Sequence, residues 1–148
     1  MGLTIAILVI TSISMILIGW LICLQLTQFR PKLKVRIVPK IIQRETKRIF
    51  SFIIRVSNHT YQDVYLASFE LVRSDGETIP MKSPSDLGNN MIHGNSSESY
   101  DVTHIGFLES LMNQNIHHVL VIDAVGHKYR GKIPKILREY YQTSRFPL

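Results

Sequence analysis

The sequence predicts a mainly β protein on a membrane anchor: an N-terminal transmembrane helix, then an antiparallel β-sandwich (immunoglobulin-like) or a small barrel with one or two short helices. Three observations predict it. No side chain from residue 3 to residue 26 is charged. After Pro31 the hydrophobic spacing changes from a helical period to a period of two. From there on, short apolar runs are separated by clusters of Ser, Asn, Asp, Gly and Pro, as strands and turns require. The predicted organisation is a helix over 1–28, a basic juxtamembrane segment over 29–48 that includes the first strand, and a β domain over 32–148.

The first run reads LTIAILVITSISMILIGWLICLQL. A hydrocarbon core about 30 Å thick needs about 20 apolar residues of helix, so this run is long enough to span. A cleaved signal peptide would want a basic start, a shorter apolar core and a small-residue cleavage site. The start here is uncharged and residues 24–27 offer no Ala-x-Ala-like site, so a retained anchor is expected. At 100° per residue, Thr4, Thr11, Ser14 and Gln25 share a narrow stripe, and Ser12, Gly19 and Cys23 lie on a neighbouring face. Small and hydroxylated residues on one face are what closely packed membrane helices use. Thr4, Thr11, Ser12, Ser14 and Gly19 are therefore the candidate helix-association residues, and a homo-oligomer is expected. The bland alternative is that the hydroxyls bond to their own helix carbonyls.

Charge orients the anchor. Residues 28–55 hold nine cations and one acid, a net +8, whereas residues 56–148 hold eight cations and ten acids, a net −2; together they make the chain's +6. Lys and Arg beside a span stay cytoplasmic, so the N-terminus is expected outside and the C-terminal domain in the cytoplasm. Arg30, Lys32, Lys34, Arg36, Lys40 and Arg44 are the candidate contacts for anionic lipid or another polyanion. Nucleic acid is a poorer fit, because no aromatic side chain interleaves with these cations before Phe50.

The β domain follows in order. Lys32, Lys34 and Arg36 alternate with Leu33, Val35 and Ile37, a half-buried strand with a basic outer face. A second strand is expected over 48–58, with Phe50, Phe52, Ile54 and Val56 on one face. A third covers 63–73, and Ser74-Asp75-Gly76 turns it into a short strand over 77–81. Residues 82–97 read as a long loop. A strand over 99–102 precedes a helix from His104 to about Asn113, capped by Thr103. Residues 116–125 form the most apolar strand outside the anchor, and Val125-Gly126-His127 turns into a strand over 127–133. Pro134 then opens a helix over 135–142.

The runs at 52–58, 64–76 and 79–80, and later 119–123 with 126–134, carry a resemblance. A strand ending in Val-x-Asn, a hairpin at Asp-Gly and a late Asp-x-x-Gly-x-x-Tyr-x-x-Lys hairpin resemble a class of small, uncharacterised bacterial single-pass membrane proteins with an immunoglobulin-like domain. The resemblance implies a fold and no catalytic residues.

Nothing in the chain spells a nucleophile elbow, a phosphate-binding glycine loop, a dinucleotide fingerprint or a metalloprotease helix. The only cysteine is Cys23, which excludes an intrachain disulfide and a cysteine zinc site. His117 and His118 are neighbours on a strand and should leave opposite faces, unable to chelate one ion together. His59, His93, His104 and His127 sit in or near loops without ligand spacing. Asp123 should end its strand or pair with Lys128 or Arg130. The sequons at Asn58 and Asn95 matter only in a lumenal domain. No catalytic residue, cofactor or metal is expected. The functional expectation is a non-enzymatic, membrane-anchored binding or assembly module that engages a protein partner or anionic ligand. The alternatives are a membrane effector that permeabilises the bilayer on a signal, as in bacterial antiviral defence, and an accessory subunit of a larger membrane complex.

Overall fold

A computed structural model describes residues 2–28, 31–44 and 47–142. The chain divides into two units, residues 1–31 and 32–148.

The first unit is one helix, α1 (Gly2–Gln28). At about 1.5 Å per residue its 27 residues extend about 40 Å, against a hydrocarbon core of about 30 Å. Its described side chains are all exposed, the large apolar ones from Leu3 at 78% to Leu24 at 43%. Among the described residues it is the one helix long and apolar enough to cross a membrane.

The second unit is two antiparallel sheets on one core. In the first sheet, β1 (Leu33–Arg44) and β2 (Lys47–Asn58) form a hairpin that pairs from Leu33↔Asn58 to Arg44↔Lys47. β2 continues into β6 (Ser97–Val102), giving the order β1-β2-β6. β1 is an edge strand, so Pro39, which has no N–H to donate, is tolerated in its middle. The second sheet has the order β4-β3-β7-β8, from β3 (Val64–Arg73), β4 (Thr78–Pro80), β7 (Ile116–Asp123) and β8 (Lys128–Lys132). The two-residue β5 (Met91–Ile92) pairs with the start of β3.

Ile37, Phe52, Ile54 and Val56 of the first sheet meet Leu66, Phe69, Leu71, Val119 and Val121 of the second in one buried cluster. Three short helices close its ends: α2 (Pro84–Leu87), α3 (Ile105–Ser110) and α4 (Lys135–Gln142). Leu108, Leu137 and Tyr141 add to the core, and the Tyr141 hydroxyl donates to the Phe50 carbonyl at 2.7 Å. Between the sandwich and the barrel left open by the sequence, the ladder decides: the sheets do not close into a barrel. β8 lies against β1 without pairing to it. Gly131 makes that approach possible, because a Cβ there would stand 2.5 Å from Val35 Cγ1.

Two register shifts between β3 and β7 matter for the sites. The first makes Ala67 an extra residue on β3, so the buried set steps from Val64 and Leu66 to Phe69 and Leu71. The second makes His117 an extra residue on β7, opposite the Val72–Arg73 step. A bulge places two consecutive residues against one and breaks the alternation of faces.

Several expectations change in detail. The loop over 82–97 contains α2 and β5. α3 is capped by His104, whose Nδ1 accepts from the Phe107 N–H at 3.2 Å, in place of Thr103. It ends at Ser110, short of Asn113, which takes a positive φ of 64°.

Candidate functional site

The basic surface starts from β1. Lys32, Lys34 and Arg36 are exposed, while Leu33, Val35 and Ile37 turn inward, as alternation requires. Arg55 of β2 stands directly opposite Arg36 and is also exposed. Like charges at directly opposed positions destabilise a sheet, so this pair is a local cost of the fold. Arg55 Nε donates to the Ser99 hydroxyl at 3.3 Å. Lys40 behaves differently: it forms an ion pair with Asp101 of β6 and is half-buried. Arg44 ends β1, and its side chain lies outside the described ones, as does Arg30 altogether. The predicted strip is thus resolved into Lys32 just before β1, two exposed β1 cations, one neutralised lysine and a contribution from β2 that was not singled out.

A second row was missed. Lys128, Arg130 and Lys132 are exposed at alternate positions of β8, and Tyr129 and Gly131 face inward. The period of two was readable. That β8 would lie beside β1 was not, since they are nearly a hundred residues apart. Lys34 and Arg36 of β1 and the three β8 cations therefore lie on strands that meet at one seam, although the charge sum over residues 56–148 is negative.

The histidine reading needs correction. His117 and His118 do not leave opposite faces. The bulge brings their rings together, with Nδ1 atoms 3.1 Å apart and ring centroids 5.4 Å apart. Burial lowers the His118 pKa from its ordinary value, and the Arg130 guanidinium and the His117 ring push it the same way. Among the described residues no group of three His, Cys, Asp or Glu side chains is placed to hold a metal. The pair lines a groove of about 670 Å³ together with Arg73, Lys128 and Arg130.

Asp123 does end its strand, but its partners are neither Lys128 nor Arg130. Its carboxylate is 1% exposed and accepts from the N–H groups of Val125 (3.0 Å) and His127 (2.8 Å), the His127 ring (3.0 Å) and the Tyr129 hydroxyl (3.1 Å). Burial alone would raise its pKa. The hydrogen bonds from His127 and Tyr129, and the His127 charge, outweigh burial and hold it below the usual carboxylate value. Burial and the neighbouring carboxylate raise the Tyr129 pKa in turn. Gly126, at φ +95°, completes the turn.

A larger groove, about 730 Å³, opens on the other side, where the edge strands β4 and β6 face each other. Met81, Leu87, Val102 and Phe107 give it apolar walls, and Asp86 and Asp101 stand among them. The Asn58 sequon is occupied by the fold itself: the Asn58 amide donates to the Gln62 carbonyl at 2.7 Å and accepts from Thr60.

On α1, Thr11 donates to the Ile7 and Leu8 carbonyls (3.0 and 2.9 Å), Ser12 to Leu8 (2.8 Å) and Ser14 to Ile10 (2.9 Å). Each hydroxyl is satisfied inside its own helix. Thr4 is exposed, and a Cβ added at Gly19 would meet nothing within 4 Å.

No family model matches the chain, and no curated protein matches it. Among solved structures it is similar to the X-ray structure of Northeast Structural Genomics Consortium target SoR45, at 13% identity and a TM-score of 0.38, over 69% of this chain and 82% of that one. A likeness at that level carries no argument about fold or function.

Proposed function

We propose that this chain is a non-enzymatic, single-pass membrane protein whose cytoplasmic β domain is a binding module, with the first sheet's basic face resting on anionic headgroups. The observation that carries the reading is the cluster of Lys32, Lys34, Arg36 and Arg55 on one sheet face, with Arg36 set opposite Arg55 and none of the four ion-paired among the described residues. A fold that tolerates that repulsion gains most when an external anion relieves it. An anionic membrane surface attracts each nearby Lys or Arg by about 1 kcal/mol, so four contribute about 4 kcal/mol at low salt. A covalent link to a membrane-spanning α1 raises the local concentration of the β domain at the membrane, so a weak contact suffices. Self-association of α1 belongs to the same reading, as does the resemblance to small bacterial single-pass proteins.

Spin-labelled lipids test it. In nanodiscs with anionic lipid, the full chain should show paramagnetic broadening of β1 and β2 amide signals. The broadening should vanish in purely zwitterionic discs and in a Lys32→Glu, Lys34→Glu, Arg36→Glu variant. Equal broadening in both disc types would remove the basis for the reading.

A further inference from the structure

We infer that the groove over the histidine bulge is a binding site for a phosphate monoester. It lies on the second sheet and does not depend on the first sheet's contact with lipid. Two features support it together.

The first is charge without compensation in the lining. Arg73, Lys128 and Arg130 are permanent cations, His117 and His118 add two imidazoles, and among the described residues no carboxylate lines the groove. Asp75 accepts from Arg73 Nη2 at 2.6 Å, Glu70 of β3 stands across Leu120 from Arg130, and among the described residues neither Lys128 nor Arg130 forms an ion pair. The second is the bulge. By adding His117 to β7 it turns two adjacent rings to one side and narrows them to 3.1 Å, beside the strand that supplies Lys128 and Arg130. Bulges re-aim side chains at functional sites.

The chemistry favours an oxyanion over a metal ion. Two nitrogens at 3.1 Å could be neighbouring ligands of a transition metal, but the described residues offer no third ligand and the three cations repel a metal. A phosphate monoester carries about two negative charges near neutral pH and three acceptor oxygens, which suits a fork of Arg and imidazole donors. Ser74 and Thr78 also line the groove, and its volume of about 670 Å³ leaves room for an organic body on the phosphate. The monoester's source is either a soluble metabolite or a lipid headgroup such as that of phosphatidic acid.

The test uses the full chain in zwitterionic nanodiscs, where the first sheet meets no net anionic surface. Calorimetric titration with inorganic phosphate and with glycerol 3-phosphate should show saturable binding. Arg130→Gln should weaken it about ten- to a hundredfold, the usual loss for a charge-assisted hydrogen bond, and Arg130→Lys should retain most of it. His117→Ala with His118→Ala should weaken it about tenfold. Unchanged thermal midpoints in these exposed-site variants separate lost binding from lost fold. A parallel titration in discs with phosphatidic acid assigns the source: the lipid, if Arg130→Gln lowers lipid contact but the soluble esters do not bind, and a metabolite in the reverse case. Absence of binding to all three probes, or equal binding by wild type and Arg130→Gln, overturns the proposal. Neither result touches the lipid contact of the first sheet, which is read in anionic discs with the β1 variant.

Discussion

The two ends of β7 hold polar side chains in opposite circumstances. At one end Asp123 is buried and every strong partner it could want is supplied within six residues: two backbone N–H groups, an imidazole and a phenol. At the other end His117 and His118 are crowded against each other, beside Arg130, with the Arg73 Nε unpartnered. The first arrangement is complete without any ligand and its work is structural. The second gathers cations and imidazoles with no carboxylate among the described lining residues, and such a cluster is where an anion finds binding energy. The difference teaches that a buried acid in an apolar strand is a poorer guide to a site than an under-satisfied cluster of like charge.

Three measurements would break or sharpen this contrast, all on the full chain in detergent by thermal or denaturant unfolding. Asp123→Ala should destabilise the β domain most, by about 2–3 kcal/mol, because it strands several buried donors at once. Gly131→Ala should cost about 1–3 kcal/mol, since its Cβ would stand 2.5 Å from Val35 Cγ1 and the β1–β8 seam must open. His117→Ala should change stability by less than about 0.5 kcal/mol, as expected for an exposed residue outside the turn network. A large loss at His117, or none at Asp123, would reverse the assignment of the two ends.

Acid sharpens the same comparison. The Asp123 carboxyl titrates lower in the fold than in the open chain. Its contribution is therefore complete above the open-chain carboxylate pKa and is lost as pH falls through the depressed folded value. His118 is also depressed, because burial, Arg130 and His117 disfavour its charge. Its contribution is complete above the open-chain imidazole pKa and fades as pH drops below it. Asp123→Asn should flatten the strongly acidic limb of the stability profile, and His118→Gln the limb just below neutrality. A bound phosphate monoester would oppose the second limb, since it favours a charged imidazole.

Much of the architecture was legible in short-range pattern. The uncharged run gave α1, and alternation gave β1, β2 and β8, because period two and period 3.6 leave different marks on adjacent residues. Asp75-Gly76 and Gly126 marked their hairpins through backbone freedom. The sites were less legible. A bulge is a relation between two strands, and nothing near His117 announces that β7 carries one residue more than β3 across from it. The basic seam depends on β1 meeting β8, a contact fixed by packing around Gly131. The Lys40–Asp101 pair likewise spans 61 residues and removes one cation from a strip that the sequence presents as uniform.

The proposed placement of α1 in the bilayer, with the β domain on the cytoplasmic side, is tested most directly by a single introduced thiol. Ser97→Cys places a thiol at an exposed position of β6. A membrane-impermeant maleimide should label it only after the cells are permeabilised, and the chain should stay with the membrane pellet through an alkaline carbonate wash. Labelling in intact cells, or release of the chain into the wash, would contradict the account.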